Sequence, residues 1–113
     1  MTTLLVLYRA PEGGADALAA LESRYRDEHL PLVAETPGLR ATRVWRVGEA
    51  LGGETDLVLA AALDFDDHAA MDEGLRSDPM RAAGRILREI APGLATFLVL
   101  EDASDLLDGK AGG

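Results

Sequence analysis

The chain has 113 residues, 48% of them apolar, and a formal net charge of −9. This predicts one globular domain, and the excess of acidic residues argues against binding of nucleic acid, which depends on Lys and Arg. Without cysteine, the chain has no disulfide framework, thiolate nucleophile or sulfur metal site. It also lacks the run of about 20 apolar residues that a membrane span needs, so we expect a soluble, cytoplasmic protein that does not enter a membrane.

The first third of the chain is typical of a strand followed by a helix. Residues 3–9 form a short apolar run of β-prone residues that predicts the first strand. A helix is then expected from Asp16, its predicted N-cap, and Pro31 should kink or end this helix near Leu30. One stripe at helical spacing runs along it: Leu18, Leu21, Tyr25, His29 and Leu32.

Three more strands and a second helical region follow. The apolar runs at residues 39–47, 56–65 and 94–101 predict strands, and the glycine-rich segment between the first two predicts a connection. Asp66 or Asp67 should cap the second helical region, which Pro92 and Gly93 should end. We therefore expect a domain over residues 1–102 and a flexible C-terminal tail over 103–113.

The predicted order β-α-β-β-α-β is that of an α+β, ferredoxin-like fold, with a four-stranded antiparallel sheet and both helices on one face. A sheet with one face in water should alternate apolar and polar residues, yet the predicted strands are apolar on both faces. The simplest cover for the second face is the same face of another copy, so we expect a homodimer. Alternatively, the small residues Ala60, Ala61 and Ala62 leave that face only weakly apolar.

Tyr25 and His29 are the candidate catalytic pair. They lie four residues apart, so both project from the side of the helix that faces the sheet. A histidine with a pKa near neutrality can take and return a proton, and a tyrosyl hydroxyl can donate to a developing oxyanion. The alternative is that His29 only caps a helix C-terminus; spacing alone favours this structural role.

Two longer motifs carry a family resemblance. The segment YRDEHLPLVAETPGLR at residues 25–40, followed by FDDHAAMDEGLRSDP at residues 65–79, resembles the EthD family. The resemblance reaches to about Glu101 and implies a dimeric α+β barrel, in which two ferredoxin-like sheets pack face to face. It also implies a pocket in each subunit between helices and sheet, lined by the histidine that matches His29. Family members include dehydratases and decarboxylases of aromatic polyketides, whereas others are described as reductases or accessories of ether degradation.

Trp45, Arg43 and Pro31 are the candidate residues for the rest of a substrate pocket. Trp45 could instead fill a dimer core, and Arg43 could form an ordinary salt bridge. His68 should face solvent at a helix start and is given no catalytic role. Two distant histidines predict no metal site, and the absence of a glycine-rich nucleotide motif predicts no cofactor.

These observations predict a homodimeric enzyme acting on an apolar or aromatic metabolite. His29 would transfer a proton, assisted by Tyr25, in a cofactor-independent dehydration or enolisation. Two alternatives remain open: a ligand-binding accessory protein without turnover, and a cofactor-free oxygenase or a reductase.

Overall fold

The computed structural model describes residues 1–109 and contains one four-stranded antiparallel sheet with helices on one face. Its strands are β1 (Thr2–Arg9), β2 (Leu39–Arg46), β3 (Leu57–Phe65) and β4 (Ala95–Glu101). Its α-helices are α1 (Gly14–Arg24), α2 (Leu30–Val33), α3 (His68–Leu75) and α4 (Asp78–Ile90). The strand order β2-β3-β1-β4 is ferredoxin-like, which confirms the predicted fold class.

The helices cover the face of the sheet that carries the buried residues of β1. Burial alternates along this strand, and Leu4, Val6 and Tyr8 are enclosed whereas Leu5 and Leu7 are only half-buried. The helices contribute apolar side chains to the same core, among them Leu21, Val33, Met71, Ala83 and Leu87. The core therefore lies between the helices and this one face.

The opposite face of the sheet carries no helix, and we call it the open face. Leu5 pairs with Leu98 and Ala62 pairs with Arg43 across the strands, so these side chains share it. Trp45, Leu98 and Leu100 lie there with 45%, 41% and 43% of their surfaces exposed. Most of this face is apolar and without a cover in the single chain.

The first helical region widens into a π-helical turn at Tyr25–His29 and then continues through α2. Within this turn the amide of Leu30 donates to the carbonyl of Tyr25, five residues earlier. Pro31 has no amide hydrogen and would crowd the carbonyl four residues before it, so an unbroken α-helix is unfavourable here. The predicted break near Leu30 is thus a widened turn, after which the helix runs on to Val33.

Of the two predicted helix N-caps, the structure has one at a different residue and the other as predicted. Gly13, with a positive φ of 107°, occupies the N-cap of α1, so Asp16 lies inside the first turn rather than capping it. The second capping prediction is confirmed, because the Asp67 side chain accepts from the Ala70 amide at 2.8 Å.

The C-terminal residues form one short element. A 3₁₀ turn spans Ser104–Asp108, with Leu106 and Leu107 exposed. The rest of the predicted flexible tail, residues 110–113, lies outside the described residues. No helix within residues 1–109 is both long and apolar enough to cross a membrane.

Candidate active site

A cavity of about 510 Å³ lies between the helices and the sheet, and we call it the His29 cavity. Its walls are mainly aliphatic, and its polar groups come from Tyr8, Tyr25, His29 and Arg88. The side next to β4 is open, since Phe97 and Val99 on that strand border the cavity yet are 56% and 45% exposed. The cavity has the size and lining of a small-molecule site.

His29 lies on the cavity wall with one ring nitrogen fixed. Its Nδ1 is 3.0 Å from the carbonyl oxygen of Ala83 on α4, and a carbonyl only accepts, so Nδ1 carries the hydrogen. In the neutral ring Nε2 is then the basic nitrogen. Nε2 of His29 has no hydrogen-bond partner. Within residues 1–109 the only fully enclosed polar side-chain atom without a partner is Thr36 Oγ1, so Nε2 is not fully enclosed and stays accessible.

Burial sets the protonation state of His29. Desolvation lowers the pKa of its imidazole below the ordinary value of 6.5, and the hydrogen bond to the Ala83 carbonyl offsets part of this effect. The ring is therefore neutral at pH 7. A neutral imidazole with an accessible Nε2 can accept a proton from a bound molecule.

Two tyrosines adjoin the histidine. The ring of Tyr25 stacks on the His29 ring with centroids 4.9 Å apart, and the Tyr8 hydroxyl donates to the Tyr25 hydroxyl at 3.2 Å. Burial raises the pKa of both tyrosines, so both hydroxyls keep their protons at neutral pH. Because the Tyr25 oxygen accepts from Tyr8, its own hydrogen is free to point at a ligand.

A solved structure resembles this chain over almost its whole length. An ethyl tert-butyl ether D (EthD) family protein from Bacillus halodurans superposes with a TM-score of 0.81 and 30% identity, covering 90% of this chain and 98% of its own. The chain belongs to the EthD family. Neither a family model nor a curated protein matches the sequence.

Solved structures with lower sequence identity share the fold of the present chain. A dimeric protein of unknown function from Bacteroides fragilis, with a ferredoxin-like fold, has a TM-score of 0.67 at 19% identity, covering 89% of this chain and 95% of its own. SnoaB, a cofactor-independent oxygenase from Streptomyces nogalater, has a TM-score of 0.61 at 16% identity, covering 90% and 91%. At these identities the likeness shows the fold alone.

Three residues predicted for a substrate pocket, Arg43, Trp45 and Pro31, do not border the His29 cavity. Arg43 and Trp45 border a separate depression on the open face, to which strand alternation directs them. Trp45 also borders a smaller depression at the edge of the sheet, together with Tyr25 and Leu30. Arg43 lies 3.3 Å from Asp64 and 5.4 Å from the Trp45 ring centroid, so it forms the salt bridge that was the alternative. Pro31 is exposed on the outer side of its helix.

His68 is exposed, as its position at a helix start predicts, but it has partners that the sequence did not indicate. Its Nδ1 lies 3.0 Å from Glu101 on β4, and its Nε2 lies 3.6 Å from Asp72. These carboxylates raise the pKa of His68, the hydrogen bond to Glu101 most. No group of three or more potential metal ligands was found over residues 1–109.

Sequence reasoning missed three groups of this site in the EthD protein: Tyr8, the Ala83 carbonyl and Arg88. Tyr8 could have been found, since it continues the alternation of Leu4 and Val6 toward the helix face. The carbonyl of Ala83 has no signal in the sequence, because every residue carries one. Arg88 resembles any other exposed arginine until its place beside the cavity is known.

Proposed function

We propose that this EthD protein is an enzyme that transforms an apolar or aromatic small molecule by proton transfer, with no cofactor. One observation carries the proposal: the basic Nε2 of a neutral, buried His29 is accessible at the wall of an apolar cavity, beside a protonated Tyr25. These are the two groups that enolisation requires, a base and a donor for the oxyanion.

The chemistry follows from the two groups. His29 Nε2 takes a proton from a carbon next to a carbonyl, and the electron pair of the broken C–H bond forms the enolate. The Tyr25 hydroxyl donates a hydrogen bond to the enolate oxygen as its charge develops. Transfer of the proton to the enolate oxygen completes an enolisation, and its return to carbon regenerates the ketone with exchange of its hydrogen. Transfer to a β-hydroxyl instead breaks the C–O bond, releases water and leaves a double bond.

The test replaces His29 with Gln and follows hydrogen exchange of 2-tetralone, a bicyclic aromatic ketone, in D₂O by mass spectrometry. A glutamine amide can still donate to the Ala83 carbonyl but cannot act as a base near neutral pH. We expect His29→Gln to keep the melting temperature within a few degrees and to slow exchange about a hundredfold or more.

The same assay separates the alternatives. Equal exchange rates for folded wild type and variant would rule out His29 as the base. If the wild type binds 2-tetralone without accelerating exchange, the proposal gives way to the accessory protein without turnover.

We also infer that two copies associate through the open face. Support comes from the exposed apolar side chains of Trp45, Leu98 and Leu100, which are costly to leave in water. The structure from Bacteroides fragilis that shares this fold is described as dimeric. A second copy related by a two-fold axis would set the same residues against themselves and leave the His29 cavity on the outer side of each sheet.

A further inference from the structure

Arg88 is a cation placed at the edge of an otherwise uncharged cavity. It lies on the exposed side of α4 and borders the His29 cavity, as does Gly84 one turn earlier. A Cβ added at Gly84 would lie 3.7 Å from the Arg88 Nη1 and would contact no other atom that closely. The guanidinium therefore extends along the strip of α4 that the glycine leaves bare.

The charge of Arg88 is not neutralised by residues 1–109. Half of the ten arginines pair with carboxylates, namely Arg24, Arg26, Arg40, Arg43 and Arg46. Arg88 is one of the other five, which have no ion pair within residues 1–109. The adjacent Glu89 is directed to Arg24 at 3.3 Å, and no Asp or Glu borders the cavity. Arg88 is the one arginine within residues 1–109 that borders the His29 cavity, so its guanidinium is available to a ligand there.

From this placement, and on the basis of the function proposed above, we propose that the substrate is a carboxylic acid with an apolar or aromatic body. Its carboxylate binds the Arg88 guanidinium at the cavity edge, and its body fills the aliphatic interior next to Tyr25 and His29. A guanidinium matches a carboxylate through two parallel N–H···O bonds, and the apolar walls strengthen such a pair relative to water.

The ion pair between Arg88 and the substrate carboxylate sets the orientation of the substrate in the cavity. A protein with a net charge of −9 repels anions at long range, so an anionic substrate needs a local cation to be retained. Held at Arg88, the carboxylate stays at the mouth, and the carbons farther along the molecule are delivered to His29. The end of the substrate remote from its carboxylate is therefore the end that reacts.

The experiment compares two probes that differ in one charge, 2-naphthylacetic acid and 2-naphthylacetamide, by titration calorimetry. We expect the acid to bind more tightly than the amide, and Arg88→Gln to weaken the acid about tenfold while changing the amide less than about twofold. Added NaCl should weaken only the acid. Arg85→Gln is the matched control, because Arg85 is exposed on the same helix but does not border the cavity.

A third variant, Val99→Trp, fills the open side of the cavity and should weaken both probes. Equal affinity of acid and amide in the wild type, or equal effects of Arg88→Gln and Arg85→Gln, would overturn the role of Arg88 while leaving the cavity as a ligand site. Binding of neither probe, or binding that Val99→Trp does not change, would overturn the cavity and the carboxylate proposal together.

Discussion

The protonation of His29 depends on contacts that are remote in the sequence. The Ala83 carbonyl fixes the hydrogen on Nδ1, and the surrounding core removes the water that would stabilise a charged ring. The four-residue spacing to Tyr25 predicted that the two side chains share a side of the helix, and the rings do stack. Their chemistry, however, comes from partners that only the folded chain brings together.

The lowered pKa of His29 predicts the pH dependence of exchange. Because burial places this pKa below 6.5, the ring stays neutral through pH 7, and the exchange rate should fall only below pH 6.5 as one proton is bound. The rate should be followed with 2-tetralone at constant ionic strength. A rate that is already falling at pH 7.5 would show that His29 is protonated too readily to be the base.

Stability should follow the same proton. Below pH 6.5 His29 binds a proton more readily in the unfolded chain than in the folded chain. The free energy of unfolding should therefore decrease as the pH is lowered, and His29→Gln should remove this contribution to the pH dependence. His68 has the opposite sign. Its raised pKa adds stability below pH 6.5 that disappears as pH rises through the folded value. Denaturant titrations of His29→Gln and His68→Gln should therefore show opposite changes in slope.

Helices α3 and α4 differ in how closely neighbouring residues approach their glycines. A Cβ at Gly74 on α3 would lie 2.8 Å from the Phe65 ring and 3.0 Å from Thr36, so the helix approaches the sheet too closely for a side chain. At Gly84 on α4 the only neighbour is Arg88 at 3.7 Å. Gly74 thus permits close contact between α3 and the sheet, whereas Gly84 leaves space in the His29 cavity.

Alanine at these two glycines should change stability in opposite directions. Gly74→Ala should lower the free energy of unfolding by about 1–3 kcal/mol through overpacking. Gly84→Ala should raise it by about 0.5–1 kcal/mol, since alanine favours the helix and meets no clash. Urea denaturation of both variants measures this, and a stabilised Gly74→Ala would contradict the close approach.

The sequence predicted which helices and strands exist and in which order they occur, because apolar periodicity and turn residues are local signals. It did not predict the π-helical turn, which depends on how Pro31 is accommodated. It also did not predict the register shift between Leu39 and Ala41, which places Leu39 opposite Phe65 on the helix side of the sheet. Arg43 and Trp45 were assigned to the pocket because alternation alone does not say which face the helices cover.

The two faces of the sheet carry different features. The helix side holds the His29 cavity, and the open face presents the exposed apolar residues. Leu98 and Val99 are neighbours on β4 with similar exposure, 41% and 45%, yet they pair with Leu5 and Leu4 and so point to opposite sides. Their contrast makes the assignment of the two faces testable.

We expect wild-type protein to sediment as a dimer at twice the chain mass of 12.0 kDa. Leu98→Glu would bury a charge in the proposed interface and should yield monomers at micromolar concentration. Val99→Glu lies on the cavity side and should leave the dimer intact. Analytical ultracentrifugation of the three proteins decides this, and a monomeric wild type would disprove the association.

The widened turn at Tyr25–His29 also bears on how family members should be aligned. Here an amide donates to the carbonyl five residues earlier, whereas in an α-helix it donates to the carbonyl four residues earlier. The turn thus contains one additional residue, and the helical segments before and after it keep their orientation. A relative shorter by one residue here would close an ordinary α-helical turn and keep the flanking core contacts in phase. A single-residue gap at this point of an alignment would thus mark a difference in one helical turn rather than a shift of the whole helix.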